Sequence, residues 1–156
     1  MKELTEYRIK IVARLGEAAH EFRSACESFP DPFAKVEGDW NLHQIASHTR
    51  DVDKLIYGAR IRRTLNEENP EFKNFDADAW MTEHYNKDEP ISAILDEFSS
   101  NVEDMCKILG GMAQESWSRM SRHETQGGDL SLQLWVERSL AHIEEHLKTL
   151  KNSQNK

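Results

Sequence analysis

The sequence has 156 residues, a formal net charge of −8, 38% hydrophobic residues and 31% charged residues. This composition is typical of one globular domain, and the negative charge disfavours general binding to nucleic acid or anionic membranes. No apolar run approaches the roughly 20 residues that a membrane-spanning helix needs. The N-terminal residues lack the apolar stretch of a secretory signal, so we expect a cytoplasmic protein.

Two cysteines, Cys26 and Cys106, are too few for a disulfide framework. Each falls on the apolar face of a predicted helix. We therefore expect two buried free thiols, and not catalytic or metal-binding cysteines.

The first half of the chain predicts two amphipathic helices. Residues 4–28 carry apolar side chains at helical spacing, and Pro30 and Pro32 follow them. A second apolar stripe begins after Asn41, a residue type that favours the N-cap position. Gln44 stands three residues later, where it can complete a capping box. The pattern predicts that the second helix begins beside Asn41.

The second half of the chain predicts two more helices. The third has a continuous apolar face, with Asp88 as its expected N-cap, Pro90 in its first turn and Gly110-Gly111 at its end. The fourth begins near Ser131. No stretch shows the alternation of apolar and polar residues that is typical of a strand.

Four helices with one apolar face each favour an all-α four-helix bundle. We expect a single bundle domain over residues 1–151 and a frayed polar tail over residues 152–156. The connections at residues 66–87 and 112–130 are long, and the first should contain a short helix near residues 76–85. Connections of this length are often functional, for example by covering a site at the end of a bundle.

Three of the seven histidines fall on the predicted interior stripes. His142 and His146 are four residues apart on the fourth helix, so their rings point the same way, and His48 lies on the interior face of the second helix. Buried imidazoles need partners, and one divalent transition metal would satisfy all three. Ordinary hydrogen bonds are the alternative. Three protein ligands with an open position are typical of a catalytic metal site.

Two segments carry a family resemblance. Residues 40–51 read WNLHQIASHTRD. In this segment a Trp precedes a capped helix, and His48 is followed three residues later by Asp51. Residues 141–147 read AHIEEHL and contain the paired histidines. In order and spacing they are similar to the second and last helices of the DinB-like superfamily, the DinB- and YfiT-type helical bundles. The turn Asn69-Pro70-Glu71 before Trp80 and the glycines Gly127-Gly128 also resemble that family. The resemblance covers nearly the whole chain. It implies that a divalent ion, with zinc or nickel expected, binds to His48, His142 and His146.

The resemblance also implies a function. The superfamily includes metal-dependent thiol S-transferases and isomerases that use low-molecular-weight thiols such as bacillithiol, mycothiol or glutathione, together with proteins assigned as hydrolases. We therefore expect a metal-dependent enzyme of the thiol S-transferase type that acts on a small molecule. A metal-dependent hydrolase, a non-catalytic stress-response metal-binding protein and a metal-free helical interaction module are the alternatives. The family also implies a homodimer.

The remaining polar candidates have less defined roles. Asp51 lies one turn after His48, where it could orient that ligand as a hydrogen-bond acceptor or form a solvent-facing salt bridge. Three arginines suit the C-terminal end of the second helix and could also hold an anionic substrate, namely Arg60, Arg62 and Arg63. The other histidines are expected at surface or loop positions: His20, His43, His84 and His123. The sequence assigns no catalytic residue.

Overall fold

The amphipathic segments form the long helices of a bundle. This computed structural model describes residues 1–155. Its helices, in chain order, are α1 (Lys2–Glu27), α2 (Leu42–Val52), α3 (Gly58–Asn66), α4 (Ala77–His84), α5 (Ile91–Gly111) and α6 (Leu132–Gln154). A π-helix over Asp53–Tyr57 joins α2 to α3, so that these elements form one long helical arm. Helix α1 packs on α5 and α6, while α2 packs on α5 and α3 packs on α6. The predicted all-α four-helix bundle is confirmed.

The core comes from the stripes that the sequence pattern indicates. On α5 the apolar residues at helical spacing are buried, namely Ile94, Leu95, Phe98, Val102, Met105 and Leu109. Phe98 meets Phe22 of α1 edge to face, with ring centroids 5.4 Å apart. Full burial of one such ring contributes roughly 1.5–3 kcal/mol, so this contact helps to hold α1 against α5. No helix within residues 1–155 is long and apolar enough to cross a membrane.

Side-chain caps set the starts of three helices. Asn41 Oδ1 accepts a hydrogen bond from the Gln44 backbone N–H at 2.8 Å, and Gln44 Oε1 accepts one from the Asn41 N–H at 2.9 Å. This exchange completes the predicted capping box. Asp76 caps the short helix α4, which confirms the helix expected in the first long connection. Ser131 caps α6 in the predicted place.

Two helix ends differ from the sequence-based prediction. The N-cap residue of α5 is Pro90 and not Asp88, because the helix begins at Ile91, one residue after the proline. Helix α6 continues to Gln154, into the segment expected to fray, and the Gln154 side chain donates a hydrogen bond to Ser28 beyond the end of α1. Lys156, the last residue of the expected tail, lies outside the described residues.

Within residues 1–155, five short strands contradict the prediction that the chain contains none. Strand β1 (Lys35–Glu37) pairs antiparallel with β2 (Trp40–Asn41). A second sheet has the order β3 (Glu71–Phe72), β4 (Met120–His123) and β5 (Gly127–Ser131), with β3 parallel and β5 antiparallel to β4. Strands of two to five residues are too short to show a period-two pattern. The second sheet ties the two long connections together, because β3 lies in the first and β4 and β5 lie in the second.

The π-helix depends on a glycine. Its wide turn is closed by a hydrogen bond from the Gly58 N–H to the Asp53 carbonyl oxygen. A Cβ atom at position 58 would lie 2.6 Å from that oxygen, so a larger residue would force the turn to shift. The turn places the ring of Tyr57 beside His142 of α6, with ring centroids 5.8 Å apart.

Both cysteines are free, as the sequence predicted. Cys26 is buried, whereas Cys106 is only half-buried. Burial raises the pKa of the Cys26 thiol to about 12. This thiol therefore stays protonated at neutral pH and is a poor nucleophile or metal ligand.

The capping box yields a prediction for Asn41→Ala. The change leaves first-turn N–H groups of α2 without their side-chain partner, and loss of such a cap costs about 0.5–2 kcal/mol. We expect urea denaturation to give a free energy of unfolding that is lower by about 1 kcal/mol. Asn66→Ala, at the exposed last residue of α3, should change it little. Equal effects of the two changes would show that the capping box does not stabilise the fold.

Candidate metal centre

Three histidines from two helices meet on the inner side of the bundle. His48 lies in the middle of α2, and His142 and His146 lie one turn apart on α6. The ring centroid of His48 is 5.3 Å from that of His142 and 5.0 Å from that of His146. The structure therefore brings together the three histidines that the sequence indicated.

The rings of His48 and His146 both approach His142 through the Nε2 atom. His142 Nε2 lies 3.4 Å from His48 Nε2 and 3.0 Å from His146 Nε2. The three rings together offer one ligand atom each within 4.8 Å of one another. Nitrogen ligands at about 2.0–2.1 Å from a tetrahedral zinc ion are separated by about 3.3–3.4 Å. The separations of 3.0 and 3.4 Å from His142 Nε2 are close to this value, so the residues fit a divalent transition metal.

Hydrogen bonding alone does not satisfy this arrangement. His142 Nε2 faces two other ring nitrogens, but a neutral imidazole nitrogen offers either one N–H or one lone pair. At most one of the two contacts is therefore a full hydrogen bond. In the other, two N–H groups or two lone pairs face each other, or the single N–H is shared. A cation at the centre would accept all three lone pairs at once. This geometry favours a metal over the alternative of ordinary hydrogen bonds.

Burial keeps the three rings neutral. It lowers the pKa of His48 to about 4, with His146 as a further cause, and it lowers the pKa of His142 to about 3, with His146 and His48 as further causes. Burial also lowers the pKa of His146. A neutral imidazole is the form that binds a metal, so these ligands need not lose protons at neutral pH.

A cavity of about 240 Å³ opens beside two of the histidines. We call it the histidine cavity; it is lined by Glu37, Trp40, Ile45, His48, Asp78 and His146. The Trp40 ring meets that of His48 nearly edge to face, with centroids 5.4 Å apart. Glu37 comes from β1 and Asp78 from α4, and the negative charge of Asp78 opposes the lowering of the His48 pKa. Neither carboxylate could be predicted as part of the site, because no local sequence motif marks them.

Asp51 does not orient a metal ligand. Its carboxylate accepts a hydrogen bond from Arg50 Nε at 3.0 Å, and Arg50 also donates to Glu89 at 2.6 Å. The salt-bridge alternative is therefore observed, although the Asp51 side chain is only 16% exposed and does not face open solvent. His48 Nδ1 is buried and finds no hydrogen-bond partner in the described part of the chain. The acceptor that usually stands behind a metal-binding histidine is thus not supplied by Asp51.

His43 is buried, contrary to the expected surface or loop position. Its side chain is 1% exposed, with Nδ1 at 2.6 Å from the Tyr85 hydroxyl and Nε2 at 2.7 Å from the Glu89 carbonyl oxygen. A carbonyl oxygen only accepts, so Nε2–H donates to Glu89 and Nδ1 accepts from Tyr85. These partners satisfy both nitrogens and leave neither for a metal.

Within residues 1–155, the other histidines neither join this centre nor form another one. His123 is also buried, contrary to expectation, and its Nδ1 accepts the Thr125 backbone N–H at 3.1 Å. His20 and His84 are exposed, as the sequence predicted. Within residues 1–155, the group of residues with metal-ligand geometry is the one formed by His48, His142 and His146.

The arginines of α3 lie outside the histidine cavity. The Arg60 guanidinium stands 4.8 Å from the centre of the Trp135 ring and 5.7 Å from that of Phe72, and Arg63 stands 5.0 Å from Phe72. Stacking of this kind holds the three-stranded sheet against the bundle. Arg62 is likewise absent from the lining of the histidine cavity in the described chain. These positions favour a structural role over the alternative of binding an anionic substrate.

Comparison with known proteins agrees with the fold. The solved structure of YfiT from Bacillus subtilis, described as a probable metal-dependent hydrolase with an unusual four-helix bundle topology, matches with a TM-score of 0.84 and 20% identity, over 96% of this chain and 87% of that one. At this identity the likeness concerns the fold alone. No curated protein matches the sequence. The family model of the DinB superfamily matches residues 6–150. The resemblance inferred from the sequence is confirmed, and the chain belongs to the DinB superfamily.

Proposed function

We propose that this chain is a metal-dependent enzyme, and specifically a hydrolase, whose divalent transition ion is held by His48, His142 and His146. The observation that carries the proposal is the convergence of three neutral imidazoles on one point beside an open cavity. The description of YfiT as a probable metal-dependent hydrolase supports it.

Three protein ligands leave a coordination position open, as in catalytic zinc sites. When bound, the ion supplies Lewis acidity at that position and lowers the pKa of a water molecule or thiol there. The histidine cavity gives small molecules a route to His48 and His146. The residues that line this cavity then determine whether water or a thiol reacts at the open position.

Glu37 is the residue that we assign as proton acceptor for hydrolysis. Its exposed position at the end of β1 keeps its carboxylate hydrated, and the same side chain lines the histidine cavity. A carboxylate beside a metal site can take the proton that an attacking water loses. The neighbouring Trp40 and Ile45 give the cavity an apolar wall that limits the access of bulk water.

Thiol S-transfer is the second candidate reaction. Three imidazoles leave room for a soft thiolate ligand. The histidine cavity also adjoins a larger cleft, where an electrophile could lie next to the sulfur. A low-molecular-weight thiol such as bacillithiol, mycothiol or glutathione would be the co-substrate. The reactions differ in which small molecule loses its proton at the open position.

Metal content tests the ligand set. After zinc loading and gel filtration, we expect the wild-type chain to retain a single ion, measured by mass spectrometry of the metal. His142→Ala and His146→Ala should each lose most of it, because the remaining ligands no longer fill the site. His20→Ala, on the exposed face of α1, is the control and should retain the zinc. Equal retention in all variants would reject this ligand set.

Glu37→Gln tests the proton acceptor. For a chromogenic ester that the zinc-loaded wild-type chain hydrolyses, we expect kcat/KM to fall by about 10²–10⁴-fold with unchanged zinc content. Glu83→Gln removes the same charge from an exposed position on α4 and should leave kcat/KM near the wild-type value. If Glu37→Gln hydrolyses the ester as fast as Glu83→Gln does, Glu37 is not the base.

A cobalt-loaded protein distinguishes hydrolysis from thiol transfer. Cobalt(II) gives visible bands, and a thiolate that enters its coordination sphere adds a sulfur-to-metal charge-transfer band. If the chain is a hydrolase, glutathione, bacillithiol and mycothiol at millimolar concentration should leave the spectrum unchanged, because water and not a thiol then occupies the open position. The acidic cavity also repels the anionic glutathione and bacillithiol. A charge-transfer band that saturates with one of them would favour thiol S-transfer instead.

A further inference from the structure

A second cleft adjoins the histidine cavity. We call it the α4 cleft; it has a volume of about 460 Å³ and is lined by Trp40, Gln44, Asp78, Met81, Thr82 and Tyr85. Trp40 and Asp78 line the histidine cavity as well. The two spaces therefore share a border, and a molecule in the α4 cleft can extend toward the histidines.

The aromatic walls of the α4 cleft are held in place. The Trp40 ring packs against the ring of His48. The hydroxyl of Tyr85 donates to His43 Nδ1 at 2.6 Å, while the opposite nitrogen of His43 donates to the Glu89 carbonyl. Because His43 is buried and bonded on both sides, it fixes the position of the Tyr85 ring. Ordered aromatic walls bind a ligand with little loss of side-chain entropy.

The charge of the α4 cleft is negative. Among the described residues that line it, Asp78 is the charged one, and neither this cleft nor the histidine cavity has a lysine or arginine in its lining. Glu37 adds a second negative charge in the adjoining histidine cavity. An anionic group would meet repulsion here, whereas a cation would meet the carboxylate of Asp78 and the aromatic side chains of Trp40 and Tyr85.

We propose that the α4 cleft binds the organic part of the substrate and selects a small organic cation, an alkylammonium or quaternary ammonium group, through Trp40, Tyr85 and Asp78. That this cation is part of a substrate rests on the proposed metal-dependent function, whereas the binding of the cation to the α4 cleft does not. The cation lies between the two aromatic rings and Asp78, and the remainder of the molecule extends over Met81 toward the histidine cavity.

Three probes of the same shape and different charge test the selection. Choline carries a trimethylammonium group, 3,3-dimethyl-1-butanol is its neutral isostere, and 3,3-dimethylbutanoate is an anion. Titration calorimetry measures each with the zinc-loaded and the metal-free protein. We expect choline to bind at least about 10-fold more tightly than the neutral alcohol, because cation–π and carboxylate contacts favour only the cation. In the metal-free protein, where no zinc ion can take its carboxylate, we expect the anion to bind most weakly.

Matched variants locate the site. Asp78→Asn should remove most of the preference for choline, whereas Glu83→Gln, which removes a charge from the same helix outside the cleft, should keep it. Circular dichroism verifies that both variants are folded. In the proton NMR spectrum of the wild-type protein, choline should shift one indole N–H resonance. That resonance is assigned to Trp40 because it disappears in Trp40→Phe.

The outcomes separate this inference from the proposed function. Equal binding of choline and its neutral isostere, or equal effects of Asp78→Asn and Glu83→Gln, overturns the inference even if zinc binds to the three histidines. A choline preference that depends on Asp78 in the metal-free protein supports the inference even if zinc binding fails, an outcome that would reject only the proposed metal chemistry.

Discussion

The mutual approach of three half-buried imidazoles is the constraint on which the site depends. Their ring nitrogens lie 3.0 and 3.4 Å apart, so α2 and α6 cannot slide past each other without separating them. The arm that continues from α2 adds a second contact, because the π-turn places Tyr57 against His142. Packing of α1 on both α5 and α6 fixes the rest of the bundle around this pair. The core thus acts as a rigid frame for a polar centre that apolar packing alone would not favour.

Much of this arrangement could be predicted because its determinants are local. The capping box at Asn41 sets the start of α2 and therefore the direction in which His48 points. The spacing of His142 and His146 places both rings on one face of α6. The long apolar stripes predicted four helices, since several turns of one helix repeat the same pattern. The short strands could not be predicted this way, because their pairing is decided by the packing of the long connections.

The side chains that surround the centre could not be predicted from local sequence patterns. Asp78 and Glu37 reach the histidine cavity only because α4 packs on α2 and the strands β1 and β2 pack on α6 and α2. His43 appeared exposed because its partners, Tyr85 and Glu89, lie about 40 residues farther along the chain. A polar residue is buried when a distant segment satisfies its hydrogen bonds, and no sequence period records such a pairing.

The contrast between a neutral centre and an acidic entrance gives the site its chemical character. Burial holds His48 and His142 in the neutral form, so their lone pairs are free, while Glu37 and Asp78 keep negative charge at the cavity wall. The two carboxylates would attract a divalent metal ion, and the neutral imidazole nitrogens would hold it. Glu37 lines the histidine cavity alone, whereas Asp78 lines the α4 cleft as well. The charge of Asp78 would therefore act both on a metal ion at the histidines and on a cation in the α4 cleft, because the two cavities meet at Trp40 and Asp78.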